Sequence, residues 1–456
     1  MIERKYWVVS PNVYPDANEL YSWTSFISVN GYAFIGWDDD SSLGDRFKNE
    51  IRKNDVIINV HRLNWEHTVY GAGIVVEDRS ECIQLPCTPS GAFNRKLFPY
   101  IPKNKIDKLN LSELFNTGEG AFGHAARKPA LYQLHPESNP VDKKIIEKIE
   151  NELKKIIEEQ DMDEIITLLK AKKNLVLTGA PGTGKTFLAK ELARKLLFGK
   201  SNESHLSEEE KDTFRHRCGF VQFHPSYDYT DFVEGLRPTK SDNNENIGFK
   251  LTDGIFKDFC KKALASPNDN FVFIIDEINR GEISKIFGEL FFSIDPDYRG
   301  EKGRVITQYQ NMITDKIDQF FDGFYIPENI YIIGTMNDID RSVESFDFAM
   351  RRRFTWIEIS ASESAENMKL SQECTKRMIA LNDAISETDG LSSAFHIGGA
   401  YFLNKKDDLG NSIEPDYNEL WKLWLKPLLK EYLRGFDRAE EKLKELEKAY
   451  GLENNG

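Results

Sequence analysis

The stretch Asn174–Thr186 reads NLVLTGAPGTGKT, and the rest of the chain is interpreted from it. Its apolar start, Leu175–Leu177, has the length of a short buried strand, and a glycine-rich turn and a helical sequence follow. The turn matches the pattern G-x-x-x-x-G-K-[ST] at each fixed position. Glycines let successive backbone N–H groups turn inward around phosphate oxygens, and the next helix points its positive end at the same anion. The stretch therefore predicts a nucleotide phosphate site.

The side chains of this loop have separate predicted tasks. Lys185 is expected to reach the β- and γ-phosphates, and the Thr186 hydroxyl is expected to ligate Mg²⁺. The whole predicted nucleotide-binding set is Gly179, Ala180, Pro181, Gly182, Thr183, Gly184, Lys185, Thr186 and Phe187.

Two later strand-like segments end in polar residues that suit phosphate chemistry. In FVFIIDEINR, five apolar residues precede Asp276 and Glu277. Asp276 is placed to hold Mg²⁺ through water, and Glu277 is placed to polarise the attacking water. The segment NIYIIGTMN ends at Asn337, which we expect to touch the γ-phosphate or that water. Apolar runs that alternate with helical patterns indicate a parallel sheet buried on both faces.

An arginine-rich segment, DIDRSVESFDFAMRRRF, follows. Asp340 and Arg341 lie near its start, and Arg351, Arg352 and Arg353 lie near its end. A planar, permanently charged guanidinium suits the charge of a phosphoryl transition state, so arginines from a neighbouring subunit would place this run at an interface. The alternative is that these charges complement a helix dipole.

Composition limits the class of protein. At 456 residues the chain has room for two or three domains, and its net charge of −14 argues against non-specific coating of nucleic acid. A local basic groove stays compatible with that charge. We find no apolar run near the length of a membrane span and no signal peptide, and so we expect a cytoplasmic protein that does not contact a membrane. The cysteines include one C-x₄-C pair, Cys82 and Cys87, for which reduced thiols are the simpler reading than zinc.

The predicted fold class is α/β, with a small mixed, β-barrel-like domain in front of the nucleotide-binding part. Residues 1–138 contain strand-like segments such as KYWVVS and DVIINVHRL, and 139–161 form an amphipathic linker helix in which Ile145, Ile149, Leu153 and Ile157 recur every four residues. Residues 162–360 form the nucleotide-binding α/β domain, and 361–456 form a helical lid with further helices.

The order of these motifs resembles that of an AAA+ ATPase, and the wording QFHPSYDYTDFVEGLRP, IDEINR and M-N-x-x-D-R-S (336–342) is similar to the McrB family. The resemblance implies a hexameric ring that uses GTP in preference to ATP and stimulates a separate McrC-like nuclease, which cuts DNA near modified bases. It also implies that Asn337, Asp340 and Arg341 form the family's signature motif, and that Arg351 and Arg352 act on a neighbouring subunit. His396 stands where the family commonly has arginine, which puts a lid contact to phosphate in doubt.

The front region is similar to EVE/YTH-like domains of the PUA superfamily, through the pattern YAFIGW…GDRF…IRKNDVIINV…YGAGIVVE. That likeness implies an aromatic cage that takes up a modified base, and Trp23, Trp37 and Trp65 are the expected cage residues. The alternative is that these tryptophans are core residues of a small β domain. The basic stretch Gly91–Lys128 could contact phosphates or form a solvated surface.

Three functions stay open at this point. We find no arrangement of acids and lysine that would form a PD-(D/E)xK nuclease, so cleavage would come from a partner. The first function is an NTP-driven restriction subunit. The second is an ATP-dependent remodelling or chaperone-like protein whose front domain binds protein or RNA, and the third is an adaptor that binds nucleotide only to assemble. The preference for GTP rests on the family resemblance, because the phosphate loop binds the triphosphate and Mg²⁺ and does not distinguish the bases.

Overall fold

The computed structural model describes residues 4–10, 31–35, 46–47, 49–63, 66–77, 93–116, 131–240, 247–339, 348–403, 405–406 and 412–451. The chain divides into two compact units, Met1–Asp163 and Glu164–Gly456, and each is described by itself. The expected domain limits at 138, 161 and 360 stay predictions. Trp23, Trp37, Trp65, Cys82, Cys87, Asp340 and Arg341 lie outside the described residues.

The first unit contains a six-stranded sheet in the order β2-β5-β4-β3-β1-β6. Its strands are Tyr6–Val9 (β1), Tyr32–Ile35 (β2), Val56–Leu63 (β3), Glu66–Val75 (β4), Phe93–Pro102 (β5) and Leu131–Gln133 (β6). β1 pairs parallel with β3, and the other pairs are antiparallel. The short helices Lys103–Ile106 (α1) and Leu111–Asn116 (α2) follow β5. The predicted mixed β region is confirmed as a mixed sheet, and its likeness to the PUA superfamily stays a prediction.

The helix Pro140–Lys172 (α3) shows a limit of the four-residue pattern. Ile145, Ile149 and Leu153 are buried against the sheet of the first unit as expected, but Ile157 is 37% exposed and Ile156 is buried instead. One α-helical turn takes 3.6 residues, so each four-residue step rotates the side chain by about 40°. After three steps Ile157 has turned about 120° from the face of Ile145, whereas Ile156 lies within about 20° of it.

The second unit is organised around a five-stranded parallel sheet in the order β13-β7-β12-β11-β8. Its strands are Asn174–Thr178 (β7), Cys218–Gln222 (β8), Phe271–Asp276 (β11), Ile330–Thr335 (β12) and Thr355–Glu358 (β13), and an antiparallel ribbon of Glu234–Lys240 (β9) and Ile247–Asp253 (β10) stands apart from them. β7 and β12 are buried along their whole length. This confirms the predicted parallel sheet with apolar central strands.

Helices connect these strands and extend beyond them. Those of the nucleotide-binding part are Lys185–Phe198 (α4), Glu208–Arg217 (α5), Tyr229–Phe232 (α6), Ile255–Leu264 (α7), Ile283–Phe287 (α8), Leu290–Ser293 (α9) and Phe348–Arg351 (α10). The later ones are Ala361–Asn367 (α11), Gln372–Glu387 (α12), Tyr417–Leu420 (α13), Lys426–Tyr432 (α14) and Ala439–Ala449 (α15). Short 3₁₀ turns span Asp107–Leu109, Glu203–His205, Ile278–Arg280, Pro296–Tyr298, Glu301–Gly303, Gln310–Met312, Ser393–Phe395 and Gly399–Phe402. The short strands Lys405–Lys406 (β14) and Ser412–Ile413 (β15) pair with each other.

The later helices, from α11 onward, have their own core, and this part of the chain is called the lid below, after the expected lid. Cys374, Met378, Leu381 and Ile385 are buried at helical spacing along α12. Trp421–Leu425 is a π-helical turn between α13 and α14, and Pro427 follows it. Proline has no N–H to donate, and the helix accommodates it with a wider π turn before it continues. Within the described ranges, none of the helices has both the length and the apolarity that a membrane crossing requires.

Candidate nucleotide site

The loop between β7 and α4 is shaped by three glycines. Gly179, Gly182 and Gly184 have φ angles of +143°, +80° and +85°, which L side chains rarely adopt. A Cβ atom at Gly179 would also lie 2.3 Å from the carbonyl oxygen of Ile359. The backbone therefore turns tightly at the start of α4, where free N–H groups are available to an anion.

Lys185 lies inside this loop. Its Nζ donates to the carbonyl oxygens of Gly179 and Ala180 at 3.0 and 2.8 Å, and to Thr183 Oγ1 at 3.3 Å. The residue is only 7% exposed. The loop thus holds a buried ammonium group next to the N-terminus of α4, and both features attract the phosphate groups of a nucleotide.

Thr186 and Asp276 meet at the carboxyl end of β11. Thr186 Oγ1 donates to Asp276 Oδ1 at 2.6 Å, and Thr335 Oγ1 donates to the same oxygen at 2.7 Å. Hydroxyl and carboxylate oxygens are hard donors that suit Mg²⁺, which keeps several waters and binds through one or two carboxylates together with substrate phosphates. Among the described residues, no group of three or more His, Cys, Asp or Glu could hold a metal on its own. The donors present therefore fit Mg²⁺ bound together with a triphosphate. When bound there, Mg²⁺ neutralises charge on the phosphate oxygens.

Glu277 is held on both sides of its carboxylate. Asn337 Nδ2 donates to Glu277 Oε1 at 2.6 Å, and Arg280 Nε donates to Oε2 at 3.3 Å. Glu277 also has a φ of +51°, a left-handed conformation that costs a non-glycine residue about 1–2 kcal/mol. Strain of this kind is found at functional sites, which supports a functional role for Glu277. The structure thus brings together the two side chains for which the sequence predicted work on the attacking water.

Three residues of this site were missed by sequence reasoning. Thr335 donates to Asp276 and accepts from the Glu277 N–H at 3.3 Å, so it orients both acids. Asn279 Nδ2 donates to the Asn337 carbonyl at 3.4 Å. Asp338 donates its N–H to the Gly179 carbonyl at 3.3 Å, and burial raises the pKa of its carboxyl group while Lys185 opposes the rise. In the sequence, the only indication of a role for these three residues was that each lies within two positions of Glu277 or Asn337.

The arginine run separates into two kinds of residue. The Arg353 side chain is 9% exposed, lies 3.9 Å from Asp295 and stacks over Phe291 at 4.6 Å, so it has a role within its own copy. Arg351 and Arg352 are exposed, and the Arg351 guanidinium lies 4.8 Å from the Trp356 ring centroid.

Comparison with known proteins agrees with this geometry. Residues 174–354 match the family model described as AAA domain (dynein-related subfamily). These residues form an AAA domain.

Two curated relatives come from restriction systems. The chain is 38% identical over 290 residues to the type IV methyl-directed restriction enzyme EcoKMcrB subunit of Escherichia coli (strain K12), with 60% of this chain and 57% of that protein covered. It is 29% identical over 231 residues to the type II restriction enzyme BsuMI component YdiS of Bacillus subtilis (strain 168), with 44% and 61% covered. The chain is thus homologous to two restriction components and spans 57% and 61% of their lengths.

One solved structure is similar to this chain at a low score. It is human THYN1 in complex with 5-methylcytosine-containing DNA, which is 9% identical at a TM-score of 0.19, with 32% of this chain and 97% of that chain covered. A score this low carries no argument about the fold.

The lid contacts the phosphate loop of the AAA domain through backbone atoms. The Gly398 N–H donates to the Pro181 carbonyl and the Ala400 N–H donates to the Gly182 carbonyl, both at 2.9 Å. His396 instead faces the lid, where its Nε2 lies 2.7 Å from Ser386 Oγ. Burial lowers the pKa of His396, so the imidazole is mostly neutral at pH 7. The lid segment therefore meets the loop as an uncharged backbone surface.

Gly398→Ala is expected to weaken nucleotide binding by about tenfold. A Cβ atom at Gly398 would lie 2.3–2.4 Å from the backbone of Gly182 and Thr183, so the loop or the lid must move. Overpacking of this kind costs about 1–3 kcal/mol, and about 1.4 kcal/mol is a factor of ten. Titration with a fluorescent nucleotide measures the change. Gly248→Ala in the exposed ribbon is the control, and equal affinity of the two variants would contradict the role of this contact.

Proposed function

We propose that this chain is the NTP-hydrolysing motor subunit of a DNA restriction system, with GTP as its preferred nucleotide. One observation carries the proposal. Lys185 and Thr186 lie in one loop, Thr186 contacts Asp276, and Glu277 pairs with Asn337, in a chain that is homologous to a methyl-directed restriction subunit. The proposed assembly is a hexameric ring in the cytoplasm.

The residues of the site have distinct proposed roles in hydrolysis. The loop 179–187 and Lys185 bind the triphosphate, and Thr186 and Asp276 hold Mg²⁺. Glu277 accepts the proton of the attacking water, and Asn337 keeps the carboxylate in position. Asp340 and Arg341 are proposed to assist beside the γ-phosphate, as the McrB-like motif suggests. Exposed guanidinium groups of Arg351 and Arg352 are proposed to serve the site of an adjoining copy, since a guanidinium supplied in trans stabilises transition-state charge.

The front unit is proposed to read DNA that carries modified bases. Trp23, Trp37 and Trp65 are the proposed base-binding residues, and stacking on an extruded base is the physical reason for choosing tryptophan. A separate McrC-like nuclease subunit is the proposed partner, and it would perform the cleavage.

The test is hydrolysis and cleavage by the full chain with defined partners. GTP and ATP are supplied in competition, with duplex DNA that contains 5-methylcytosine, N6-methyladenine or neither, and with a co-encoded nuclease present or absent. We expect GTP turnover that rises with one modified DNA and the nuclease, and DNA cleavage only when nucleotide, modified DNA and nuclease are all present. A preference for ATP would overturn the choice of GTP alone. Stimulation by peptide or RNA in place of modified DNA would favour a remodelling protein and contradict the restriction function.

A further inference from the structure

The arginine segment is tied to the parallel sheet just after its two exposed arginines. Asn174 is fully buried at the start of β7, and its Nδ2 donates to the Arg353 carbonyl at 2.9 Å. The Arg353 side chain is itself buried and stacks over Phe291. The backbone that follows Arg351 and Arg352 is therefore fixed, although their side chains are exposed.

Trp356 on β13 contacts Arg351 in two ways. The indole Nε1 donates to the Arg351 carbonyl at 2.9 Å, and the Arg351 guanidinium lies 4.8 Å from the centroid of the indole ring. The face of a tryptophan ring attracts a guanidinium at this distance. The hydrogen bond fixes the backbone from which the arginine side chain starts. One side chain thus orients both the backbone and the charged group of Arg351.

Trp356 is well suited to act as a rigid support. It lies opposite Val176 in the parallel pair of β13 with β7, and its ring packs at the edge of the main core of the nucleotide-binding part. An unsupported arginine side chain samples many rotamers, and ordering it at the moment of use costs free energy. A support that orders the guanidinium beforehand removes that cost.

We propose that Trp356 is a positioning residue for hydrolysis: it holds Arg351 of its own copy in the orientation in which the guanidinium serves the nucleotide of an adjoining copy. Trp356 contributes the orientation, and Arg351 contributes the charge. This inference rests on the proposed function, in which exposed arginines act in trans.

Trp356→Ala is expected to lower kcat for GTP hydrolysis by about 5- to 50-fold and to leave nucleotide affinity unchanged, because one cation–π contact and one hydrogen bond to Arg351 are lost. Trp356→Phe keeps a ring under the guanidinium and should lose less. Tyr325→Ala is the matched control, since Tyr325 also packs at the edge of this core and carries the Arg304 guanidinium at 5.5 Å. Thermal melting checks that each variant folds. A native kcat in Trp356→Ala would overturn the proposal, and a higher one would show that the tryptophan restrains Arg351.

Mixed assemblies separate an effect in trans from damage within the altered copy. A merely structural role would harm the nucleotide site of the same copy, because β7 pairs with β13 and leads into the phosphate loop. Glu277→Gln chains still offer a native Arg351 on a native Trp356. We expect the hydrolysis rate per Trp356→Ala chain to rise severalfold when Glu277→Gln chains are added in excess. Chains that carry both Glu277→Gln and Arg351→Ala are the control and should give no rise. A rate that stays low with Glu277→Gln in confirmed mixed assemblies would contradict the positioning role.

A double-variant comparison shows whether Trp356 acts through Arg351. In chains that already carry Arg351→Ala, the change Trp356→Ala should cause no further loss of kcat, and a further loss as large as in the native chain would overturn the inference. If removal of Arg351 and Arg352 together abolishes hydrolysis but Trp356→Ala has no effect, this inference fails alone. If hydrolysis stays native without both arginines, the trans role in the proposed function fails as well.

Discussion

Glu277→Gln is expected to lower the rate of nucleoside triphosphate hydrolysis by about 10²–10⁴-fold and to leave nucleotide binding intact. The amide has the size of the carboxylate and can still accept the hydrogen bond from Asn337, which spans 2.6 Å in the native site. It cannot take a proton from water. The left-handed backbone at this position stays as it is, because the side-chain length is unchanged.

Single-turnover hydrolysis and nucleotide titration separate the two effects of this change. The variant should retain bound triphosphate within assembled rings. Glu282→Gln is the matched control, since Glu282 lies five residues later and pairs only with the exposed Lys285 among the interactions described. Hydrolysis at the native rate in Glu277→Gln would contradict the assigned proton acceptor and favour an adaptor that uses nucleotide only for assembly.

Lys185→Ala is expected to weaken nucleotide binding by about 10- to 150-fold, because hydrogen bonds to charged groups contribute about 1.5–3 kcal/mol each. In the free protein the ammonium group is held by the Gly179 and Ala180 carbonyls, so it is already in place when phosphate arrives. Its removal takes away the buried cation of the loop and leaves the surrounding sheet unchanged. Hydrolysis should fall with binding.

Fluorescent-nucleotide titration and thermal melting with and without Mg²⁺-nucleotide measure the Lys185 effect. Lys190→Ala is the control from the same helix, where the exposed ammonium stacks on Phe220 at 5.1 Å. We expect the control to bind nucleotide normally and Lys185→Ala to lose the ligand-induced rise in melting temperature. Normal nucleotide affinity in Lys185→Ala would contradict the assignment of this loop as the phosphate-binding site.

The strands of the parallel sheet and the acids at their ends could be predicted because each strand and its acids lie in one contiguous stretch of sequence. Asp276 ends a buried strand, Glu277 follows it, and Asn337 follows the next strand along the chain, so their meeting is a consequence of the sheet. The paired roles of Thr335 could not be predicted in this way, because a threonine at a strand end has many ordinary uses. Predicting that Ile156 is buried and Ile157 is not would have required the helical period of 3.6 residues in place of a four-residue repeat.

The lid contact was beyond sequence reasoning for a different reason. It is made by the backbone N–H groups of Gly398 and Ala400, and a backbone donor leaves no side-chain signature. A cavity beside Gly182 is lined by the lid segments around Tyr401 and Trp424. Both segments are far from the phosphate loop in the sequence, so their approach to it could not be predicted. The assigned base-reading tryptophans lie outside the described residues and stay predictions.

The central claim is that one copy holds the triphosphate and an adjoining copy completes its hydrolysis. Mixing two inactive variants tests this most directly. The double change Arg351→Ala and Arg352→Ala keeps a complete phosphate site but donates no guanidinium, whereas Glu277→Gln cannot hydrolyse but still offers both arginines to its neighbour. Each variant alone should show background GTP hydrolysis. The account predicts that activity returns when the two are mixed and assembled, and a mixture that stays at background while forming mixed rings would contradict it.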